Sequence, residues 1–218
     1  MVRQTFDQKL QTLRYEALLS GHMADIVLYR AVEALVCQDL ICAHRVLADT
    51  CAINGRLARL ESETLLQIAI QQPVARDLRM LAAVLKISAE LGRMGGYAAN
   101  IAQATLSLAA QPMPDPFPQI LLKMGEKARD MLRQSLIAFS ERDIILARTI
   151  PARDDEVDKL YNEVFQALMI VIRVDPSSSH QVACVSRAAH NLERTADRVI
   201  NICEWVVFAV TGEMKELY

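Results

Sequence analysis

Four carboxylates hold the chemistry this 218-residue chain could do: Asp154 with Asp158, and Glu193 with Asp197. Each pair is spaced by four, so on a helix its members share one face, about 6 Å apart along the axis. Pro176 marks a turn between the pairs. Asp158 lies 18 residues before it and Glu193 17 after, while Asp154 lies 22 before and Asp197 21 after. Two straight antiparallel helices joined at this turn would bring all four acids to one height. Carboxylates gathered in this way raise one another's pKa and destabilise the fold unless positive charge sits among them. The candidates are a metal ion or arginine. Oxygen-rich clusters on facing helices hold bridged iron or manganese in bundles, and calcium, magnesium and zinc also accept such ligands. His190, three residues before Glu193, could add a nitrogen ligand. The alternative is that the acids pair with Arg153, Lys159, Arg194 and Arg198 on solvated faces, each pair contributing well under ~1 kcal/mol.

The chain echoes itself around these residues. Leu192-Glu193-Arg194 with Asp197 and Asn201-Ile202 repeats Leu91-Gly92-Arg93 with Gly96 and Asn100-Ile101, at an offset of 101; Asp154 and Asp158 answer Thr50 and Asn54 at an offset of 104. The first copy therefore has no carboxylate where the second has four, and its counterpart site is expected to bind metal weakly or not at all. Gly92, Gly95 and Gly96 fall inside a predicted helix, where each costs about 1 kcal/mol relative to alanine. Close helix approach is the expected compensation.

Apolar residues at steps of three and four, such as Leu78, Leu81 and Leu85 or Val157, Leu160, Val164, Leu168 and Val171, predict helices throughout. Breaks fall at Gln38-Asp39, Gln71-Gln72-Pro73, 111–118, 140–143 and 175–179. The fold class is all-α: six long helices in two tandem three-helix bundles related by the internal repeat, with domains at 1–111 and 119–218. Pro112, Pro114, Pro116 and Pro118 make the 112–118 linker a stiff extended crossing. Pro151 falls about two turns into the fifth helix, so a kink is expected near Ile150.

Aromatic residues are 5% of the chain against 52% apolar overall, which favours aliphatic helix packing. A formal charge of −2 provides no general field for nucleic acid or an anionic membrane. Five cysteines with no C-x-x-C pair, mostly among apolar neighbours, fit small buried residues in a reducing cytoplasm. No signal-peptide core appears near the N-terminus, and no run approaches the ~18 apolar residues of a membrane span. Direct membrane insertion is not expected.

The sequence resembles the PhoU family, the phosphate uptake regulators, along essentially its whole length. Residues 71–79 (QQPVARDLR), then Glu90-Leu91 and Asn100-Ile101-Ala102, match that family's first repeat; Asp154-Asp155-Glu156-Val157-Asp158, residues 191–194, Asp197, Asn201-Ile202 and residues 210–213 match its second. The resemblance implies two three-helix bundles and a cytoplasmic negative regulator, often dimeric, that communicates between a high-affinity phosphate ABC transporter and a phosphate-sensing histidine kinase. It further implies a multinuclear iron or zinc cluster on Asp154, Asp158, Glu193 and Asp197, in the second repeat only. One departure stands beside these ligands: Arg198 replaces the histidine that often follows the last aspartate.

A regulator that acts by binding needs a docking surface. Arg76, Arg79, Lys86 and Arg93 recur at steps of three, seven and seven, and could meet an acidic transporter surface or an anion at a helix N-terminus; otherwise they form a solvated face. A ferritin-like carboxylate metal enzyme would need Glu-x-x-His pairs, and none occurs among the four histidines. A passive helical scaffold is the remaining alternative.

Overall fold

The structure, a computed structural model, describes residues 2–109 and 112–217. Helix α1 spans Val2–Cys37, α2 Leu40–Gln71, α3 Ala75–Leu108, α4 Phe117–Glu141, α5 Ile144–Thr149, α6 Asp154–Val174 and α7 Ser179–Thr211. The fold is all-α, with α5 and α6 together making the fifth of six helices. Pro118 sits in the first turn of α4, where its missing N–H costs nothing, and does not extend the linker. Gln111, the first residue of the expected break, lies outside the described residues.

The internal repeat is visible in how the turns are built. Between α1 and α2, Gln38 adopts φ 55 and the Asp39 side chain accepts the Cys42 N–H at 2.9 Å. Between α4 and α5, 104 residues on, Arg142 adopts φ 59 and Asp143 accepts the Ile145 and Leu146 N–H groups at 2.9 and 3.0 Å. An aspartate N-cap after a left-handed residue sets both corners. At Pro151 the expected irregularity takes the form of a 3-10 turn over Pro151–Arg153 between α5 and α6, with Ile150, Arg153 and Asp154 still in the right-handed helical region. Proline cannot donate to the ladder, so α6 restarts at Asp154.

The two repeats meet along α3 and α7, which run antiparallel in constant register. Arg79 lies against Gly212, Lys86 over the Trp205 ring, Tyr97 at Arg194, and Asn100 Nδ2 donates to Asn191 Oδ1 at 3.0 Å. In each pair the residue numbers add to 291, over about 31 Å of helix. A repeat offset of 101 maps this seam onto itself, so a pseudo-twofold axis passes between Gly95 and Ala196. The α1–α4 contact obeys the same axis, with a Cβ built on Gly21 falling on Leu136 and one on Gly125 lying 3.0 Å from Val32. Arg129 there forks onto Asp25 through Nε and Nη2 at 2.7 and 3.1 Å and stacks over Tyr29. Buried aliphatic side chains from both repeats merge into one core.

Close approach is thus required at Gly125 and not at the three glycines of α3. A Cβ on Gly92 or Gly95 would stand 3.4–3.9 Å from Thr50, Asn54 and Leu57, ordinary contact, and one on Gly96 would meet nothing within 4 Å. The expected compensation for these glycines is therefore absent. The cysteines also divide differently from expectation: Cys184 and Cys203 are buried, Cys42 is half-buried, and Cys37 and Cys51 are exposed.

Gly96→Ala should stabilise the chain by about 0.5–1 kcal/mol in urea unfolding, whereas Gly125→Val should cost about 1–3 kcal/mol. Equal effects at the two sites would contradict this packing. Arg129→Met, which leaves the buried Asp25 without its cation, should cost about 3 kcal/mol, and Asp25→Leu added to it should restore most of the loss.

Candidate metal centre

The four acids named from spacing do come together. Asp154 and Asp158 lie on the first turns of α6, Glu193 and Asp197 on the middle of α7, and the two helices pack as neighbours. Asp154 is pushed up to about 7, first by burial and then by the charges of Asp158, Asp197 and Glu193. Asp158 is raised by burial and then by Asp197 and Asp155. Glu193 is raised by burial and then by Asp197, against a smaller opposing effect of His190. The α6 N-terminus favours nearby anions. Burial and mutual repulsion outweigh it here.

Most cations that could have answered this charge are directed elsewhere. Arg153 pairs with Asp130 on α4 at 2.6 Å. Arg198, the departure from the family pattern, reaches across to Glu90 on α3 at 3.5 Å, both side chains largely buried. Lys159 acts on Glu156. Arg194 stands 3.7 Å from Asp197 and is shared with Tyr97. Within the cluster two buried oxygens, Asp154 Oδ1 and Glu193 Oε2, have no hydrogen-bond donor among the described residues, and Glu90 Oε2 beside Arg198 is likewise without one. His190 Nδ1 is 3.4 Å from that Glu193 oxygen, outside hydrogen-bond geometry, and the exposed imidazole leans on Tyr161 with ring centroids 6.3 Å apart.

Orphaned carboxylate oxygens in a cluster short of cations are the donor set a hard or borderline cation takes. The residues therefore fit by type. Among the described residues no three His, Cys, Asp or Glu side chains already converge on one point as ligands of a single ion. Occupancy would need side-chain rotation. In the first repeat Gly92 lies beside Asn54, whose amide stands where the echo puts Asp158, but Gly96, the counterpart of Asp197, has nothing within 4 Å of its Cβ position; it is Gly95 that lies beside Thr50.

Residues 20–105 and 121–206 each match the PhoU domain. The chain belongs to the PhoU family. The phosphate-specific transport system accessory protein PhoU homolog of Clostridium acetobutylicum is 34% identical over 100% of this chain and 99% of its own length. Its counterpart in Zymomonas mobilis is 34% identical over 95% of this chain and 87% of its own. Two crystal structures share the PhoU fold: the phosphate transport system regulatory protein of Streptococcus pneumoniae, with TM-score 0.89, 28% identity and coverage of 97% and 100%, and PhoU from Pseudomonas aeruginosa, with 0.90, 27% and coverage of 95% and 100%. No helix among the described residues is long and apolar enough to cross a membrane.

The basic stripe of α3 is not uniformly free in this PhoU-family chain. Arg76 and Arg93 are exposed, Lys86 is exposed but lies over Trp205 at 5.5 Å, and Arg79 packs along Gly212 where α7 ends. Spacing alone missed the cleft beside the acids, which Arg148, Ile200, Glu216 and Leu217 help to line. No periodicity marks these four residues, because they come from a helix end, a helix middle and an irregular tail.

A raised carboxyl pKa means that the folded chain holds a proton the unfolded chain has already lost. Stability therefore falls as pH climbs from about 4 through about 7. In metal-free protein, Asp154 should make folding weaker at pH 8 than at pH 5 by about 1–2 kcal/mol, after discounting for solvent at a half-buried group. Urea titrations of wild type and Asp154→Asn at both pH values isolate this contribution: the variant should gain at pH 8 and not at pH 5.

Proposed function

We propose that this protein is a cytoplasmic negative regulator of phosphate uptake and phosphate-starvation signalling. It acts by protein–protein contact, as a homodimer, on the high-affinity phosphate ABC transporter and on a phosphate-responsive histidine kinase. Its match in both repeats to phosphate transport accessory proteins, over nearly the full length of each, is the observation that carries this reading. The exposed Cys37 and Cys51 thiols are compatible with a reducing compartment. Arg76, Arg79, Lys86 and Arg93 remain the docking stripe we assign to the transporter, with Arg76 and Arg93 its most accessible members.

We further propose that the second repeat holds an iron or zinc cluster on Asp154, Asp158, Glu193 and Asp197, with His190 at its edge. The support is the charge balance: among the described residues four acids and two orphaned oxygens meet Arg194 at one end and Arg148 at the rim of the adjoining cleft. Bound metal would supply the positive charge that the fold omits, fixing α6 against α7. The ferritin-like reading is disfavoured by residue order, since His190 precedes Glu193 where a Glu-x-x-His ligand pair needs the reverse.

The test pairs metal analysis with physiology. Protein purified without a metal-binding tag should hold several equivalents of iron or zinc per chain, and Glu193→Ala with Asp197→Ala should lose them while retaining its helical content. Deleting the gene should release phosphate uptake and starvation-gene expression in phosphate-rich medium. Unaltered uptake and signalling, with no second family member in the cell, would sink the regulator reading.

A further inference from the structure

Beyond α7 the chain turns back onto the bundle. Gly212 adopts φ 82 and donates its N–H to Phe208 at 2.8 Å, a left-handed cap that reverses the chain's direction. A side chain there would press on Arg79, whose Cδ lies 3.4 Å from the Cβ position. Glu213 N–H then donates to Thr211 Oγ1 at 3.0 Å, Lys215 pairs with Glu213 at 2.9 Å, and Leu217 N–H donates to Glu204 Oε1 at 3.1 Å. Five residues thus retrace about two turns of α7, roughly 12 Å, well within their extended reach of about 16 Å.

The return path ends beside the acids. Leu217 packs against the edge of the core, and with Glu216 it forms one lip of an open cleft of about 640 Å3 that also holds Asp154, Asp155, Asp158 and Arg148. Two tendencies oppose each other at this lip. Apolar burial of Leu217, one hydrogen bond to Glu204 and the Arg148 charge acting on Glu213 draw the segment in. The Glu216 carboxylate, exposed at the rim of a cleft that already holds three aspartates, pushes it out. Arg148 is the one cation lining the cleft among the described residues, and it also acts on Glu213. An anchor this slight, working against like charge, leaves docking sensitive to the charge beneath it.

We propose that Glu213–Leu217 is a charge-sensitive strap, held loosely at the cleft while the carboxylates there are unneutralised and drawn closed when positive charge enters. The identity of that charge as a metal ion rests on the cation reading of Asp154, Asp158, Glu193 and Asp197. The strap's response to charge does not. Linkage makes the effect reciprocal: whatever cation closes the strap is held more tightly by it.

Hydrogen–deuterium exchange of the full chain tests both parts, with the segment ending at residue 217 followed in metal-free protein. Glu216→Gln, which removes the repelling charge, should slow exchange at the strap by roughly 1.5- to fivefold, the scale of one exposed charge contact. Glu204→Ala should abolish the protection there while leaving segments of α3 unchanged. Mn2+ should slow strap exchange in the wild type and add little in Glu216→Gln. Equal exchange in wild type and Glu216→Gln overturns the strap. Slowing by Glu216→Gln with no response of the wild type to Mn2+, Zn2+ or Fe2+ keeps the strap and overturns the cation reading.

Discussion

The antiparallel pairing of α3 with α7 is the contact on which the rest of the molecule depends. Its register is held from Arg79 against Gly212 at one end to Asn100 on Asn191 at the other, and every other helix packs around this pair or beside it. Antiparallel helices can slide unless something fixes them lengthwise. Here Lys86 over Trp205, Arg198 toward Glu90 and the paired asparagines do so with groups whose partners must match in height. Because the repeat offset maps the seam onto itself, one packing solution is used twice. The α1–α4 contact, with its Gly125 against Val32 and its Asp25–Arg129 fork, closes the opposite side under the same symmetry.

Symmetry of backbone did not enforce symmetry of chemistry. The second repeat carries Glu193 and Asp197 with Asp154 and Asp158, where the first has Gly92 and Gly96 with Thr50 and Asn54. Since a Cβ at Gly92, Gly95 or Gly96 would meet only ordinary contact or open space, close approach at the Cβ does not explain why the first repeat is bare there. The seam makes such divergence tolerable, because neither set of residues is needed to hold the two halves in register. Arg198 shows the two roles meeting in one helix: one residue from Asp197, it serves the seam through Glu90 and leaves the acids without its charge.

Much of this was legible in the sequence, for identifiable reasons. Helix periodicity and the turn residues Asp39, Pro73, Asp143 and Pro176 located the elements, and counting outward from Pro176 placed the four acids at one height. Counting works for a hairpin of uninterrupted helices, since rise per residue is constant. It fails where the path is not helical. At Pro151 sequence shows that a proline cannot donate to the helical ladder, but not that the chain accommodates it with a 3-10 turn. The tail at Leu217 has no periodicity to read. Which cations serve the acids was also hidden, because Arg153 and Arg198 sit at spacings suited to the acids and are claimed by Asp130 and Glu90 on other helices.

The acid cluster is therefore a local destabilisation carried by a fold whose cohesion lies elsewhere. A structural role would call for arginines turned inward, as Arg129 is turned onto Asp25, where the same chain answers a buried carboxylate with a two-pronged donor. At Asp154 and Glu193 it leaves buried oxygens without donors and lifts their proton affinity. Uncompensated charge of this kind persists at sites where something other than the chain completes the interaction. The contrast between Asp25 and Asp154 is thus the physical support for the cation site proposed in the second repeat.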